Sequence, residues 1–152
     1  HKTIIMSYKK FSLMLLISFM IMYAVMFLNI TQVDYFYVST TRIYMALLMI
    51  SPMAVVMMLM MGKMYPNKKL NTGIIVSAII VFIITLAGLR TQTPIGDVQY
   101  MKAMIPHHSS AILTSENANI KDPEVRKLAD GIIEAQKREI AEMKVLIKKL
   151  SK

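Results

Sequence analysis

Three long stretches without a single charged side chain dominate this sequence. Phe11–Ile30 (FSLMLLISFMIMYAVMFLNI) runs for 20 residues, Ile43–Met61 (IYMALLMISPMAVVMMLMM) for 19, and Gly73–Leu89 (GIIVSAIIVFIITLAGL) for 17. A hydrocarbon core of ~30 Å takes about 20 helical residues to cross. The expectation is therefore three transmembrane helices, at about 11–30, 43–61 and 73–89, in a membrane domain of residues 1–90. The third run is the shortest, and Thr72 and the aliphatic stem of Arg90 extend it by snorkelling. The first run has a basic start, but its apolar part exceeds a signal-peptide h-region and no small-residue cleavage site follows, so it reads as a retained span. A first residue of His makes residues 1–5 read as an incomplete native end or an added remnant.

The formal charge of +9 invites a nucleic-acid reading until its location is considered. Residues 1–96 carry eight Lys and Arg against one acid, Asp34. Lys2, Lys9, Lys10, Lys63, Lys68 and Lys69 flank the start of the first run and the loop between the second and third, whereas Arg42 and Arg90 sit at the opposite ends. That is the positive-inside distribution. It predicts a cytoplasmic N-terminus, three crossings of a bacterial inner membrane, and a C-terminal segment that is periplasmic or extracellular. Residues 97–152 are nearly balanced, ten basic against eight acidic, so the charge encodes topology and not a nucleic-acid footprint. The absence of cysteine removes thiolate metal sites and disulfides, and suits an oxidising compartment.

Tyr35, Phe36 and Tyr37, in the short loop Thr31–Thr41, are expected at the outer membrane interface. The inner loop GKMYPNKKLNT reads as a turn region, and residues 91–96 as a linker. Beyond it, Asp97 is a candidate N-cap for a helix from Val98 to about Asn119. In KDPE, Asp122 caps a second helix with Pro123 at its first position, running to about Leu150. Its expected apolar stripe is Val125, Leu128/Ala129, Ile132, Gln136, Ile140, Met143, Ile147 and Leu150. Residues 97–152 thus read as an extracytoplasmic antiparallel hairpin with a tight NIKD turn. One hairpin is marginal alone, and pairing with a second copy would complete a four-helix bundle. The predicted fold is an all-α membrane protein: three spans, then a hairpin that dimerises.

Within YMKAMIPHHSSAIL, Met101, Met104/Ile105, His108, Ala111/Ile112 and Ser115 follow three-four spacing. His107 lies about 100° round the helix from His108. The facing helix brings Gln136 and Met143, with Glu139 at the border. Pro106 removes the helical partner of the Lys102 carbonyl, and the bend expected there re-aims the two imidazoles toward one centre. Methionine and histidine together, with neither cysteine nor a carboxylate cluster, suit a soft ion such as Cu(I) or Ag(I). Zinc would recruit more carboxylate, histidine or thiolate, and the Glu-x-x-His pairs of ferritin-like di-iron sites are absent. The competing reading is that helical Met is packing and helical His a core or surface residue.

Met104 to His108, Asp122 to Ala129, and Ile132-Ile133 through Gln136, Glu139-Ile140 and Met143 together resemble the domain-of-unknown-function 305 family, grouped with ferritin-like helical bundles. The similarity covers about residues 97–150. A branch of that family with three N-terminal spans resembles the whole chain. The resemblance implies copper binding, with Met101, Met104, His107, His108 and Met143 as ligands. Soluble relatives often carry two such hairpins, which again implies a dimer.

The second run carries Met45, Met49, Met53 and Met57 at steps of four, with Met58, Met60, Met61 and Met64 beyond. A thioether path for Cu(I) and simple packing by flexible apolar side chains are the two readings. No ionisable residue inside the runs marks an ion pathway. No nucleotide site, nucleophile triad or catalytic acid pair is evident, so an enzyme is not expected. The sequence points to a membrane-anchored copper or silver binder for tolerance or handover, partnered with the bilayer, a second copy, and a copper exporter or chaperone. The alternative is a membrane-anchored helical interaction module without metal.

Overall fold

The computed structural model describes residues 6–151, and over these the chain is all-helical. Five α-helices follow in order: α1 (Tyr8–Val25), α2 (Thr40–Met61), α3 (Lys68–Thr91), α4 (Asp97–Asn117) and α5 (Pro123–Leu150). Single 3₁₀ turns occupy Val33–Tyr35 and Gly62–Met64. Three helices are long and apolar enough to cross a membrane: α1, α2 with its trailing turn, and α3. Lys2 and the rest of residues 1–5, including the question of a native start, lie outside the described residues.

The chain divides into two compact units. One comprises the residues up to Val25 together with Arg42–Pro94; the other comprises Met26–Thr41 together with the residues from Ile95 on. The loop between α1 and α2, grouped by sequence with the membrane part, therefore belongs to the hairpin unit. The first apolar run also ends as a helix five residues earlier than expected, at Val25. Phe27 is instead buried, its ring 4.0 Å from that of Phe36. Apolarity dictates that Phe27 leaves water, but not whether lipid or another ring covers it.

In the first unit, one end is tied by aromatic and amide contacts. Phe11, Met58 and Tyr65 form its buried cluster, with Tyr8 and Phe11 rings 5.1 and 5.6 Å from Tyr65. The Tyr8 hydroxyl donates to Asn71 Oδ1 at 2.8 Å and accepts from the Asn67 N–H at 3.1 Å, which brings the starts of α1 and α3 together. Asn67 also caps α3 by accepting from the Leu70 N–H. At the other end Gly88 admits the Tyr44 ring, since a Cβ there would stand 2.9 Å from it. Tyr44 then donates to the Thr93 carbonyl at 2.7 Å. The interior line of α2 is Ala46, Ile50, Ser51, Ala54 and Met58. The Met45–Met57 series runs beside that line, with Met45 and Met49 exposed and Met53 and Met57 half-buried.

The second unit is an antiparallel hairpin of α4 and α5. Pairs across it descend in register: Glu116 with Lys137 at 3.0 Å, and His108 with Glu139 at 2.7 Å. Met101, Ile105 and Ile112 of α4 are buried against Ile140 and Ile147 of α5, with Ile133 and Met143 packed alongside. Of the expected stripe on α5, Ala129, Ile140 and Ile147 are buried and Gln136 and Met143 half-buried. Val125, Leu128, Ile132 and Leu150 are exposed, and Ile133 takes the inward place. Lines through Ile132 and through Ile133 both obey three-four spacing, so periodicity alone does not choose between them.

Helix ends follow local rules. Asp122 Oδ1 accepts from the N–H groups of Glu124 and Val125 at 2.9 and 3.0 Å, and Pro123 opens α5. For α4 the N-cap is Gly96, with no side-chain bond; Asp97, the expected cap, is the first helical residue. There its carboxylate still faces the favourable end of the helix dipole. Replacing Asp122 by Ala should lower the stability of the hairpin unit by about 1 kcal/mol. Chemical denaturation of the full chain in detergent, followed by helical circular dichroism, reads this as a shifted midpoint.

Candidate metal centre

Consecutive residues on a helix point about 100° apart, and the histidine pair shows what that means here. His108 is buried at 8 % exposure while His107 is exposed, their ring centroids 6.2 Å apart. Helix α4 continues through the buried Pro106. The expected convergence of both imidazoles on one centre is not observed: a proline alters the direction of the helix axis, not the angle between the two residues after it. Met101 is buried and Met143 half-buried in one apolar cluster, and Met104 is half-buried on the same helix as Met101.

His108 is held from across the hairpin. Its Nε2 lies 2.7 Å from Glu139 Oε2, while its Nδ1 is buried without a hydrogen-bond partner. With a carboxylate facing Nε2, the favoured neutral tautomer places the proton on Nε2 and leaves the lone pair on Nδ1. A buried acceptor with nothing to accept is costly. An imidazole oriented by a carboxylate through one nitrogen and open at the other is also the usual state of a metal-ligating histidine. Among the described residues no group of three or more His, Cys, Asp and Glu side chains stands together. A cation at this imidazole would need further donors, and the thioethers carried by α4 and α5 at Met101, Met104 and Met143 are of the type that fits a soft monovalent ion.

The two serines after the histidines hold the loop from residues 26–41 against α4. Ser109, fully buried, accepts from the Thr31 N–H at 2.7 Å and lies 3.0 Å from the Thr31 hydroxyl. Asn29 Nδ2 donates to Ser110 Oγ at 2.6 Å. Further up α4, Gln99 Oε1 accepts from the Thr40 N–H at 3.1 Å and from its hydroxyl at 3.3 Å. Between these anchors Tyr35 and Tyr37 pack on the hairpin core, and Asp34 pairs with Lys144, whose ammonium stands 4.3 Å from the Tyr35 ring centroid. Tyr35 and Tyr37, expected at a lipid interface, thus pack on the hairpin. Glu139 and the loop anchors are the residues that sequence reasoning did not assign to the site. The signal for Glu139 was its position one turn from Met143 and three residues from Gln136; for the loop there was none.

A helical hairpin with a buried, carboxylate-oriented histidine, joined to three helices able to cross a membrane, is the class of protein that fold and site define. Residues 85–152 match the family model described as Domain of unknown function (DUF305). Over 106 residues the chain is 41% identical to the uncharacterized protein L153 of Acanthamoeba polyphaga mimivirus, covering 68% of each chain. No solved structure matches the chain. The chain belongs to the DUF305 family, and its match begins at residue 85, within α3, and takes in the linker and the whole hairpin. Neither description names a ligand or a reaction, so the chemistry has to come from the residues.

Glu139→Ala removes the one partner of the His108 ring. It should destabilise the chain by about 1 kcal/mol, the low end of the usual range because Glu139 is half exposed and water can take its place. Glu139→Gln, which can still bond the ring, should recover most of the loss. Paired denaturation curves of the two variants check this.

Proposed function

We propose that this protein is a membrane-anchored binder of Cu(I), with Ag(I) as the other ion its donors suit, serving metal tolerance or handover to an exporter or chaperone. The observation that carries the reading is the buried, unpartnered Nδ1 of His108, oriented by Glu139 and set on the same helix as Met101 and Met104. His108 would supply the nitrogen ligand, and Met101, Met104 and Met143 neutral thioethers. Such a set holds a monovalent ion without a charge to neutralise and without the thiols that an oxidising compartment would consume. His107, at the exposed side of the same turn, is suited to meeting an ion at the surface before it is buried. Copper is cargo here, and nothing in the residue set calls for an enzyme.

The charge distribution supports an inner-membrane orientation with the N-terminus in the cytoplasm and the hairpin outside. Dimerisation is supported by the apolar residues that α5 leaves in solvent, Leu128 at 66 % exposure with Val125 and Ile132 beside it. A monomer gains nothing by showing such a stripe, and a second hairpin laid along it would give a four-helix bundle. The same stripe favours the second reading, a helical interaction module in which His108 is only a structural hydrogen bonder.

Titration of the full chain in micelles with Cu(I), under reducing conditions and against a competing chelator, separates the two readings. The parent should hold Cu(I). Met101→Leu, Met104→Leu and Met143→Leu should each weaken binding by about tenfold, and Glu139→Gln by a similar factor through the imidazole it orients. His108→Ala should abolish high affinity, and His107→Ala should cost less. No affinity in the parent, or equal affinity in every variant, would leave only the interaction module.

A further inference from the structure

We propose that the three-helix unit binds one anionic diacyl phospholipid, its acyl chains in a groove between α1, α2 and α3 and its headgroup on the lysines at the groove's mouth. The inference rests only on these helices lying in a bilayer and is independent of copper.

A cavity of about 610 Å³ opens among the three helices, with Phe11, Leu15 and Phe19 of α1 on one wall and Leu47 and Ile50 of α2 on another. Its floor is small: Ala54, Gly73, Ser77 and Ala78 leave the space that larger side chains would fill. Along α3 the lining runs from Leu70 to Val81. At 1.5 Å per residue that is roughly 16 Å, close to half of a ~30 Å hydrocarbon core, so the groove has the depth of one leaflet. It is lined on an outward side by Leu16 and Leu70, both well exposed, so a lipid can enter from the side.

One end of the groove is cationic. Lys9 and Lys10 immediately precede Phe11 and Ser12, and Lys68 and Lys69 immediately precede Leu70. The Tyr8 bonds to Asn67 and Asn71 hold the starts of α1 and α3 together, which brings all four lysines to the same end. All four are exposed. No Asp or Glu occurs anywhere in the sequence of this unit, so it carries no carboxylate of its own to offset them. Two helix N-termini at the same end add unsatisfied N–H groups and positive dipole ends. Basic pockets between membrane helices on the cytoplasmic side favour anionic headgroups for this reason. An apolar slot one leaflet deep beneath an unbalanced cationic rim matches a phosphatidylglycerol-type lipid better than a zwitterionic one. A partner helix would fill the slot but leave the rim uncompensated.

Native mass spectrometry of the full chain, released from micelles containing equal phosphatidylglycerol and phosphatidylcholine with identical acyl chains, tests the assignment. One bound phosphatidylglycerol should dominate, by about fivefold or more over phosphatidylcholine. Changing Lys9, Lys10, Lys68 and Lys69 to Gln should bring the two lipids to parity. Gly73→Leu with Ser77→Leu should displace both, and a Cβ at Gly73 meets no atom within 4 Å, so the groove can be filled without strain. Circular dichroism confirms that each variant remains helical. Equal retention of the two lipids by the parent, or undiminished lipid on the groove-filled variant, would overturn the proposal. So would a lipid-free dimer that the groove-filling changes dissociate, which would assign the slot to a second copy.

Discussion

Two helices laid side by side touch along one line, and whatever lies beside that line must be covered by something else. In the hairpin unit the cover on one flank comes from the loop between α1 and α2. Thr31 and Asn29 bond to Ser109 and Ser110, Thr40 bonds to Gln99, and Tyr35 and Tyr37 lie on the apolar cluster between them. These bonds satisfy polar groups that burial would otherwise penalise. They also give meaning to the two serines behind the histidine pair: the turn of α4 that carries His108 is the turn that the loop clamps. The other flank, along Val125, Leu128 and Ile132, has no such cover among the described residues.

The histidine pair divides its labour for a geometric reason. A helical step separates neighbours by about 100°, so one imidazole goes inside and the other out, whatever the proline does. Glu139 then decides the character of the inner one. It occupies Nε2 and leaves Nδ1 buried and unpaired. A purely structural histidine in that place would be better served by a second hydrogen bond, and that open nitrogen is what the proposed ligand role rests on. Among the described residues no group of three or more His, Cys, Asp and Glu side chains stands around it.

The three helices long and apolar enough to cross a membrane, the N-cap of α5 and the existence of the hairpin were legible because each rests on local chemistry. Uncharged length selects a span, and an Asp-Pro pair before an amphipathic run starts a helix. On α5 the inward places of Ile140 and Ile147 were legible, but the choice at Ile133 was not. Ile132 and Ile133 are adjacent and equally apolar, and the one that turns inward is settled by which side of α5 meets α4. The loop was not legible for a related reason: Phe27 had the composition of a span and Tyr35 and Tyr37 that of interface residues, and both compositions suit an aromatic lid equally well. Within the candidate site, Met101 and His108 could be placed on the inner face by spacing alone. The Glu139 contact could not, because it depends on the register between two helices.

What the sequence determined by itself was much of what depends on neighbours within a few residues: five helices, three of them able to cross a bilayer, the Asp122 cap of α5, and a Met/His set on α4. The tertiary structure decided the rest. It turned Ile133 of α5 inward, passed the first loop to the hairpin unit, separated His107 from His108 in burial, and aimed Glu139 at the imidazole. The physical reason is that hydrophobic burial is non-directional and a helix repeats its apolar positions on more than one possible line. Only the packed partner breaks that degeneracy.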